Sequence, residues 1–321
     1  MPRVDEHMSL TIGVDIGGTK VAAGVVDPDG AIVASALRET PAGDQAETVE
    51  VISEVIAELR RSHEVTAIGV GAAAFIDAQR ATVLFAPNLA WRDVPLREMI
   101  EQRSGLPAVV ENDANAAAWG EATFGVARDV DSMVLLTIGT GIGGGIVLDG
   151  KLYRGHNGMA AEIGHLTVVP DGRRCGCGNR GCWERYASGR ALVREARDLA
   201  DVSPEYASRL LELGDGDLDG ITGPEVTQAA REGDPAALEA FEVIGMWLGR
   251  GLASLAAVLD PDMFVLGGGV SDAGELLRRP AEEAFRSRLT GRAYRELPQI
   301  ALAGLGGQAG IVGAADLARR R

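Results

Sequence analysis

The sequence predicts an α/β protein built from two similar lobes. Apolar strands alternate with helical segments along the chain, which is the pattern of an α/β fold. Each half also opens in the same way, with an apolar strand, a glycine-containing turn and a returning apolar strand. The two turns lie at Asp15–Thr19 and Gly139–Gly143. This internal repeat is weak, but it favours two related lobes within the 321 residues.

In the first half, hydrophobic periodicity and turn residues define the elements. LTIGV, VAAGVVD and AIVASALRET are predicted strands, separated by the turns DIGGTK and PDG. Apolar residues at helical spacing predict a helix over 45–61, and TAIGVGAAAFI reads as a buried strand. LREMIEQRSGLPAVVEND gives a further helix and strand. The alanine-rich stretch after Asp113 predicts a helix that ends at Gly125.

The second half begins after a short polar link, VARDVDS at 126–132, which is the candidate domain boundary. The predicted lobes are therefore 1–127 and 128–321. MVLLTIGTGIGGGIVLDGKL gives strand, glycine turn, strand and Asp-Gly turn. Residues 189–256 are mostly helical, and DPDMFVLGGGV is a strand that runs into three glycines. The final helix, about 308–320, is a candidate for packing back on the N-terminal lobe.

Composition limits the possible partners and the location of the protein. The net charge of -15 comes without a basic stretch, which argues against nucleic acid or an anionic membrane as partner. The start, MPRVDEHMSL, is no secretory signal, and the longest apolar or glycine run is AIGVGAAAFI. These features predict a cytoplasmic protein. Three cysteines, an odd number in a reducing compartment, do not make a disulfide framework.

The first glycine turn is suited to a phosphate group. Gly17, Gly18 and Thr19 can expose backbone N–H groups without a bulky side chain in the way. Asp15 is placed to hold magnesium directly or through water, and Lys20 adds a positive charge. A hairpin turn that merely needs positive φ would explain this one turn equally well.

Two more glycine segments favour a bound nucleotide. IGTGIGGG at 138–145 holds more glycines than a hairpin requires, and Gly267–Gly269 follow a strand. Ligands of α/β sheets bind at the carboxyl ends of strands, where all three segments lie. Neither GxxxxGK[ST] nor a strand–GxGxxG–helix unit is present. The pattern therefore predicts one nucleotide clamped between the two lobes by these glycine turns.

Asp113 has two possible roles. It follows an apolar strand and precedes an alanine-rich helix, so locally it is expected to be a helix N-cap. Alternatively, it is a general base, because phosphoryl transfer to a hydroxyl group uses a carboxylate that accepts the hydroxyl proton. From the residues alone, the cap is the commoner role.

The cysteines form a compact candidate metal site. Cys175, Cys177 and Cys182, with His165 ten residues before the first of them, supply the Cys3His ligand set of structural zinc. A CxC redox pair would leave Cys182 without a role, and an iron–sulfur cluster would want a fourth cysteine. Three unconnected core thiols fit poorly with a glycine- and arginine-rich segment. The pattern therefore predicts zinc, which would order the loop.

Several of these motifs resemble a known family. DIGGTK, IGTGIGGG and VLGGGV are similar to the phosphate and adenosine segments of the sugar kinase, heat-shock ATPase and actin superfamily. LLTIGTGIGGGIVLDGKLYRGHNGMAAEIGH and the CxCGxxGCxE element resemble the ROK family (repressor, open reading frame, kinase). The resemblance runs from about residue 10 to the C-terminus and is closest to bacterial glucokinases. It implies a two-lobed, actin-like ATPase (ribonuclease H-like) fold of the sugar kinase type, with an inserted zinc loop.

The resemblance also implies an activity and a set of site residues. The reaction would transfer the γ-phosphate of ATP, with magnesium, to the 6-hydroxyl of glucose, with Asp113 as general base. The residues implied to bind the sugar are Asn112, Asp113, Glu162, His165 and Glu184. The residues expected to bind the nucleotide and magnesium are Asp15, Gly17, Gly18, Thr19, Lys20, Thr140, Gly141, Gly268 and Gly269. Asn88 is either a sugar-side residue or a turn residue.

Other functions within this fold remain open, and one function of a different class is disfavoured. The same fold could serve another hexose, an N-acylhexosamine, or polyphosphate as donor, and Ala74 stands where the resembling glucokinases usually have glycine. A sugar-sensing repressor would need a DNA-binding domain, and nine residues precede LTIGV, so that function is disfavoured. The expected partners are glucose and ATP, and the resemblance implies a homodimer or homotetramer.

Overall fold

The computed structural model describes residues 9–321, so the N-terminal segment from which a secretory signal was excluded lies largely outside it. The chain folds into two compact units. The first unit contains the chain up to Leu135, Gly145–Ala161 and Gly304–Arg321, and the second contains Leu136–Gly144 and Glu162–Ala303. The two compact units interleave along the chain. The lobes predicted at 1–127 and 128–321 remain a prediction.

Within the described residues the strands are short and the helices carry most of the second unit. The strands are β1 (Thr11–Ile16), β2 (Lys20–Val26), β3 (Ile32–Glu39), β4 (Ile68–Ala72), β5 (Phe75–Ile76), β6 (Val83–Phe85), β7 (Arg92–Val94), β8 (Ala108–Asn112), β9 (Met133–Ile138), β10 (Ile142–Leu148), β11 (Lys151–Leu152), β12 (Met263–Gly267) and β13 (Gln299–Leu302). The helices are α1 (Gln45–Arg60), α2 (Leu96–Ser104), α3 (Asp113–Thr123), α4 (Glu184–Ala187), α5 (Gly189–Val202), α6 (Ser208–Leu213), α7 (Gly223–Arg231), α8 (Pro235–Leu259), α9 (Glu275–Arg288) and α10 (Ala309–Arg319). The predicted α/β class is confirmed.

The first unit is built on a five-stranded sheet with the order β3-β2-β1-β4-β8. β2 is antiparallel to β1 and to β3, whereas β4 and β8 run parallel to β1. In the observed register Ile16 pairs with Ala72, and Ala72 pairs with Asn112. The three parallel strands therefore end level with one another. This register brings the residues that follow β1, β4 and β8 to one edge of the sheet.

Two other sheets complete the strand pairing. One has the order β11-β10-β9-β12-β13, with β12 and β13 parallel, and the small one is the antiparallel set β5-β6-β7. The single strand predicted for TAIGVGAAAFI is wrong, because the chain leaves the first sheet after Ala72 and joins the small sheet at Phe75. The Ala73 and Ala74 N–H groups donate to the Ile16 and Ala72 carbonyl oxygens at this bend.

The predicted helix over 45–61 is confirmed as α1, which begins after the N-cap Asp44. Its buried residues include the apolar positions from which it was predicted, namely Val49, Ile52, Val55, Ile56 and Leu59. They join the core of the first unit, together with apolar residues of β1, β2 and β4. The apolar helical period therefore sets which face of α1 packs on the sheet.

The C-terminal helix α10 lies directly on the sheet of the first unit, because two strands carry glycine where the helix crosses. A methyl group on Gly69 would lie 1.7 Å from the Ala314 carbonyl oxygen, and one on Gly13 would lie 1.9 Å from that of Ile311. Neither carbonyl oxygen can move without shifting the helix backbone. Main chain therefore packs on main chain here, and only glycine leaves the required space.

A buried ion pair fixes the end of α10. The Arg319 and Asp316 side chains are 3% and 2% exposed, and their Nη1 and Oδ1 atoms are 2.8 Å apart. Arg319 also donates to the Ser9 carbonyl oxygen, the Thr11 hydroxyl group and the Val26 carbonyl oxygen. These bonds satisfy a charge that burial would otherwise destabilise, and they tie the last turn of α10 to β1 and β2.

Among residues 9–321, α8 has the length and apolar character of a membrane-spanning helix, with a mean hydropathy of 1.4. Half of that apolar window is buried inside the protein. α8 packs against α5, α7 and α9 within the second unit. A central core helix of this kind meets the same length and composition criteria.

Replacing Arg319 with methionine should lower the free energy of unfolding by about 3 kcal/mol, because it removes the one buried guanidinium that pairs with the buried Asp316 among the described residues. Chemical denaturation followed by circular dichroism measures the change. Arg320→Met is the matched control, since Arg320 contacts the same carboxylate but is half exposed. Equal stability losses for the two variants would contradict this account of the buried pair.

Candidate functional site

The structure divides the residues predicted for the site between the two units. The first unit holds Asp15, Gly17, Gly18, Thr19, Lys20, Asn88, Asn112 and Asp113. The second unit holds Thr140, Gly141, Glu162, His165, Cys175, Cys177, Cys182, Glu184, Gly268 and Gly269. The phosphate turn, Asp15 and Asp113 therefore belong to the first unit, and the cysteine loop and the second glycine turn belong to the second.

The first glycine turn follows β1 at the common edge of the parallel strands. Gly17 N–H donates to the Lys20 carbonyl oxygen at 2.9 Å, which closes the turn, and Thr19 and Lys20 are exposed. A methyl group on Gly18 would lie 3.2 Å from the Asn88 Cβ. The exposed Asn88 side chain therefore stands beside this turn.

Asn112 is the last residue of β8 and directly precedes α3. Its Oδ1 accepts a hydrogen bond from Asn115 N–H at 3.0 Å, and its Nδ2 donates to the Ala74 carbonyl oxygen at 3.2 Å. The N-cap of α3 is therefore Asn112, with extended backbone. The local expectation that Asp113 is the N-cap is wrong, because Asp113 is already the first helical residue. The Asn112 side chain, and not the Asp113 carboxylate, therefore makes the capping hydrogen bond.

The carboxylate of Asp113 influences that of Asp15 at this edge. Asp15 pairs with Gly71 of β4, and a methyl group on Gly71 would lie 3.6 Å from the Asp113 Cα. Burial, and then the negative charge of Asp113, raise the pKa of Asp15 to about 7. Burial also raises the pKa of Asp113, although hydrogen bonds from the Ala114 and Asp113 N–H groups and from Asn112 oppose it. Two carboxylates in this arrangement suit a divalent cation.

The four predicted metal ligands come together in the second unit. The ligand atoms of His165, Cys175, Cys177 and Cys182 all lie within 4.8 Å of one another. Cys175 Sγ is 3.7 Å from His165 Nδ1, and Cys177 Sγ is 3.6 Å from Cys182 Sγ. A tetrahedral site with metal–sulfur bonds of zinc length has ligand separations of about 3.8 Å. The donor set therefore fits a tetrahedral metal ion.

Local backbone pairing shapes the loop that carries these thiols. Thr167 and Cys182 form an antiparallel bridge, as do Arg174 and Arg180, so the segment doubles back on itself. Burial raises the pKa of the Cys175 thiol, with hydrogen bonding to the Glu184 side chain acting in the same direction. Because the thiolate is the metal ligand, a bound cation would replace this proton.

His165 faces the cluster with one nitrogen and Glu162 with the other. Its Nδ1 points to Cys175, whereas its Nε2 lies 4.0 Å from the Glu162 carboxylate. The Cys175 thiol donates to Glu184 Oε1 at 3.0 Å. The Cys3His cluster therefore lies against the carboxylates of Glu162 and Glu184. A neutral imidazole bound through Nδ1 keeps an N–H at Nε2 that can donate to a ligand.

The second glycine turn also approaches Glu184. A methyl group on Gly141 would lie 2.4 Å from Glu184 Oε2, so glycine leaves the space that this carboxylate occupies. Gly268, which follows β12, has φ +82° and packs against the end of β9 at Ile138. Both glycines are therefore required by close contacts within the second unit.

A large cavity of about 1140 Å³ opens in the second unit. Its walls come from the second glycine turn, α5, α7 and the segment after β12, and include Thr140 and Gly269. Sequence reasoning missed the α5 and α7 side chains. Arg190, Arg194 and Arg197 line it from one face of α5, and their helical spacing was the available signal. Such a cavity is large enough for a nucleoside with its phosphates.

The fold and site define the class of protein. The chain has the two-lobed, actin-like ATPase fold of the sugar kinase type, and it shares this fold with its relatives of known structure. It also carries a Cys3His loop. The chain matches the ROK family model over residues 11–321 and belongs to that family. The predicted fold and family are therefore confirmed.

Similar proteins cover nearly the whole chain. A glucokinase of Streptomyces coelicolor is 52% identical over 97% of this chain and 98% of that protein. A crystal structure of a ROK family glucokinase from Streptomyces griseus, in complex with glucose and AMPPNP, is 54% identical. It has a TM-score of 0.89 and covers 97% of this chain and 100% of its own. A ROK hexokinase from Thermus thermophilus is 36% identical over 96% of this chain and 97% of its own, with a TM-score of 0.80.

Replacing Cys182 with serine should remove most of the bound metal and lower the melting temperature, because a serine hydroxyl is a poor substitute for a thiolate ligand. Elemental analysis of the purified protein gives the metal content, and thermal unfolding gives the stability. Thr167→Ser is the control, since Thr167 pairs with Cys182 through the backbone but is no ligand. A metal content unchanged by Cys182→Ser would rule out this Cys3His set.

Proposed function

We propose that this protein is a glucokinase that transfers the γ-phosphate of ATP to the 6-hydroxyl of glucose. The observation that carries the proposal is full-length similarity to glucokinases at 52% and 54% identity, the second of them in complex with glucose and AMPPNP. Candidate catalytic, sugar-binding and metal-binding residues are all present in this chain. An ATP-dependent hexose kinase is the activity that fits these features together.

Asp113 is the proposed general base. Its carboxylate is not used as the helix cap, and burial raises its pKa, which makes the ionised form a stronger proton acceptor. It would take the proton of the 6-hydroxyl group as that oxygen attacks the γ-phosphorus of ATP. Positioning and charge stabilisation then account for most of the rate enhancement in phosphoryl transfer.

The other polar residues are proposed to hold the sugar. Asn112 is oriented before any ligand binds, because both ends of its amide make hydrogen bonds within the protein. Glu162, His165 and Glu184 present two carboxylates and an imidazole N–H, which suit sugar hydroxyl groups. Asn88, beside Gly18, is proposed to order this turn or to contact the sugar.

The glycine segments are proposed to bind the nucleotide. Gly17, Gly18, Thr19 and Lys20, with Thr140 and Gly141, would contact the phosphates, and Gly268 and Gly269 would lie near the adenosine. The cavity lined by Thr140 and Gly269 supports this assignment. Asp15 would hold magnesium, directly or through water, and the ion would neutralise charge on the transferred phosphoryl group.

The Cys3His cluster is proposed to bind structural zinc. Three thiols and an imidazole form a closed tetrahedral set, which leaves no ligand position open for catalysis. The ion would fix the loop that carries His165 and would hold the ring so that Nε2 faces Glu162. A cytoplasmic location and assembly as a homodimer or homotetramer belong to the same proposal and rest on family resemblance.

The test of the function is ADP release by the zinc-replete protein with magnesium-ATP, with and without glucose. Fructose, mannose, N-acetylmannosamine and N-acetylglucosamine are offered in parallel, because the sugar-binding geometry decides among them. Turnover that is greatest with glucose is the expected result. Turnover with another sugar alone would keep the kinase and reject glucose as its substrate. No turnover with any of these sugars, and none with polyphosphate as donor, would overturn the proposal.

Asp113→Asn should lower kcat by about 10²- to 10⁴-fold, since the amide cannot accept the hydroxyl proton. The KM for ATP should change little, and the assay of ADP release measures both kcat and KM. Asp44→Asn is the control, because asparagine serves as well as aspartate at the N-cap of α1. An Asp113→Asn variant with near-normal kcat would exclude Asp113 as the base.

A further inference from the structure

A buried carboxylate stands directly before the proposed catalytic pair. Glu111 ends the apolar part of β8, and its side chain is 1% exposed. Two guanidinium groups flank it, because Glu111 Oε2 lies 3.0 Å from Arg80 Nε and 2.7 Å from Arg154 Nε. A buried carboxylate is tolerated only when it is paired and hydrogen-bonded, so this cluster compensates a costly charge.

The second carboxylate oxygen acts on the main chain at the end of β8. Glu111 Oε1 accepts hydrogen bonds from Asn112 N–H at 2.9 Å and from Asn115 Nδ2 at 3.1 Å. The first donor precedes Asp113 and the second lies in the first turn of α3. One carboxylate therefore holds the chain on both sides of Asp113.

The two arginines join this point to other parts of the first unit. Arg154, which follows β11, also donates to the carbonyl oxygens of Ala78 and Asp77, at 3.0 Å and 2.9 Å. The Arg80 carbonyl oxygen accepts from Val110 N–H of β8 at 3.0 Å, and Arg80 itself has φ +55°. The 77–80 loop, β8 and Arg154 are thus connected through Glu111.

The sheet and the helix cap do not by themselves account for this cluster. β8 pairs with β4 along its full length, and Asn112 Oδ1 caps α3 through Asn115 N–H. The ladder and the cap would hold β8 and α3 with an apolar residue at position 111. What Glu111 adds is a fixed direction for the junction between them, the Asn112–Asp113 peptide.

We infer that Glu111, held by Arg80 and Arg154, is a positioning residue for Asp113 and Asn112. The carboxylate sets the main chain so that the Asp113 carboxylate and the Asn112 amide have their working orientation before substrate binds. This inference rests on the proposed kinase function and deepens it. Preorganisation of this kind matters because a displacement of about 1 Å in a reacting group can cost about 10²-fold in rate.

The kinetic test compares Glu111→Gln with the wild-type protein. The amide oxygen can still accept from Asn112 N–H, but the amide nitrogen cannot pair with two guanidinium groups. We expect kcat with glucose to fall by about 10²-fold and the KM for ATP to stay unchanged. Arg154→Met should act in the same direction, and Arg154→Lys should recover part of the loss because it keeps the charge.

Glu101→Gln is the matched control, because Glu101 lies on α2 and contacts the other end of β8. Glu101 Oε1 accepts from Ala108 N–H at 2.9 Å, so this carboxylate caps the start of β8, at the opposite end of the strand from Asp113. We expect its kcat to match the wild type. Equal losses in Glu111→Gln and Glu101→Gln would mean that Glu111 only stabilises β8, and would overturn the inference.

Hydrogen exchange of the ligand-free protein provides a readout that does not depend on turnover. In Glu111→Gln, the backbone amides of 112–115 should exchange faster, while those of β4 should keep their protection. Normal protection of 112–115, or wild-type kcat in a folded Glu111→Gln protein, would overturn the inference. If Glu111→Gln does not fold, Arg154→Met decides by the same two measurements, with Arg154→Lys as its conservative counterpart. A wild type that is inactive with every sugar would instead overturn the proposed function, and exchange would still report on the positioning.

Discussion

The parallel pairing of β1, β4 and β8 is the constraint on which the first unit depends. In its register, Ile16, Ala72 and Asn112 end their strands side by side, so the chain must turn at three neighbouring points. Three acidic residues lie near these strand ends: Asp15 lies on β1, and Glu111 and Asp113 flank the end of β8. Burial and the negative charge of Asp113 raise the pKa of Asp15, and burial raises that of Asp113, which is the physical reason for expecting a cation beside these two carboxylates.

In the second unit, polar side chains of the candidate site lie on or beside a glycine-rich loop. A loop of this composition has few apolar side chains with which to order itself, and the proposed metal ion would order it instead. Cys175 contacts both His165 and Glu184, and Glu162 faces the far side of the imidazole ring. The thiols are therefore proposed to influence sugar binding indirectly, through His165 and Glu184. The buried Trp183, next to Cys182, anchors the loop to the helical core of this unit by donating to the Trp247 carbonyl oxygen.

Sequence reasoning predicted what depends on nearby residues and missed what depends on distant ones. The apolar period of α1 and the spacing of the three cysteines are local signals, and both agree with the structure. The contact of Glu111 with Arg154 joins residues far apart in the chain, and no period or motif announces it. The break after Ala72 was missed because Gly71–Ala74 are small residues without a turn signal. Local sequence favoured Asp113 as the cap because asparagine and aspartate cap equally well, and only the backbone shows that Asn112 is the cap.

The close approach of Gly141 to Glu184 has a consequence for how variants of the second turn are interpreted. A glycine in a phosphate-binding turn is usually explained by the need of a phosphate to reach the backbone. Here the same missing side chain also makes room for a carboxylate that contacts Cys175. A mutation at Gly141 would therefore show epistasis with mutations at Glu184. Its effects on apparent affinity for ATP and for sugar would be inseparable in a single-mutant experiment, and only a double-mutant cycle would apportion them.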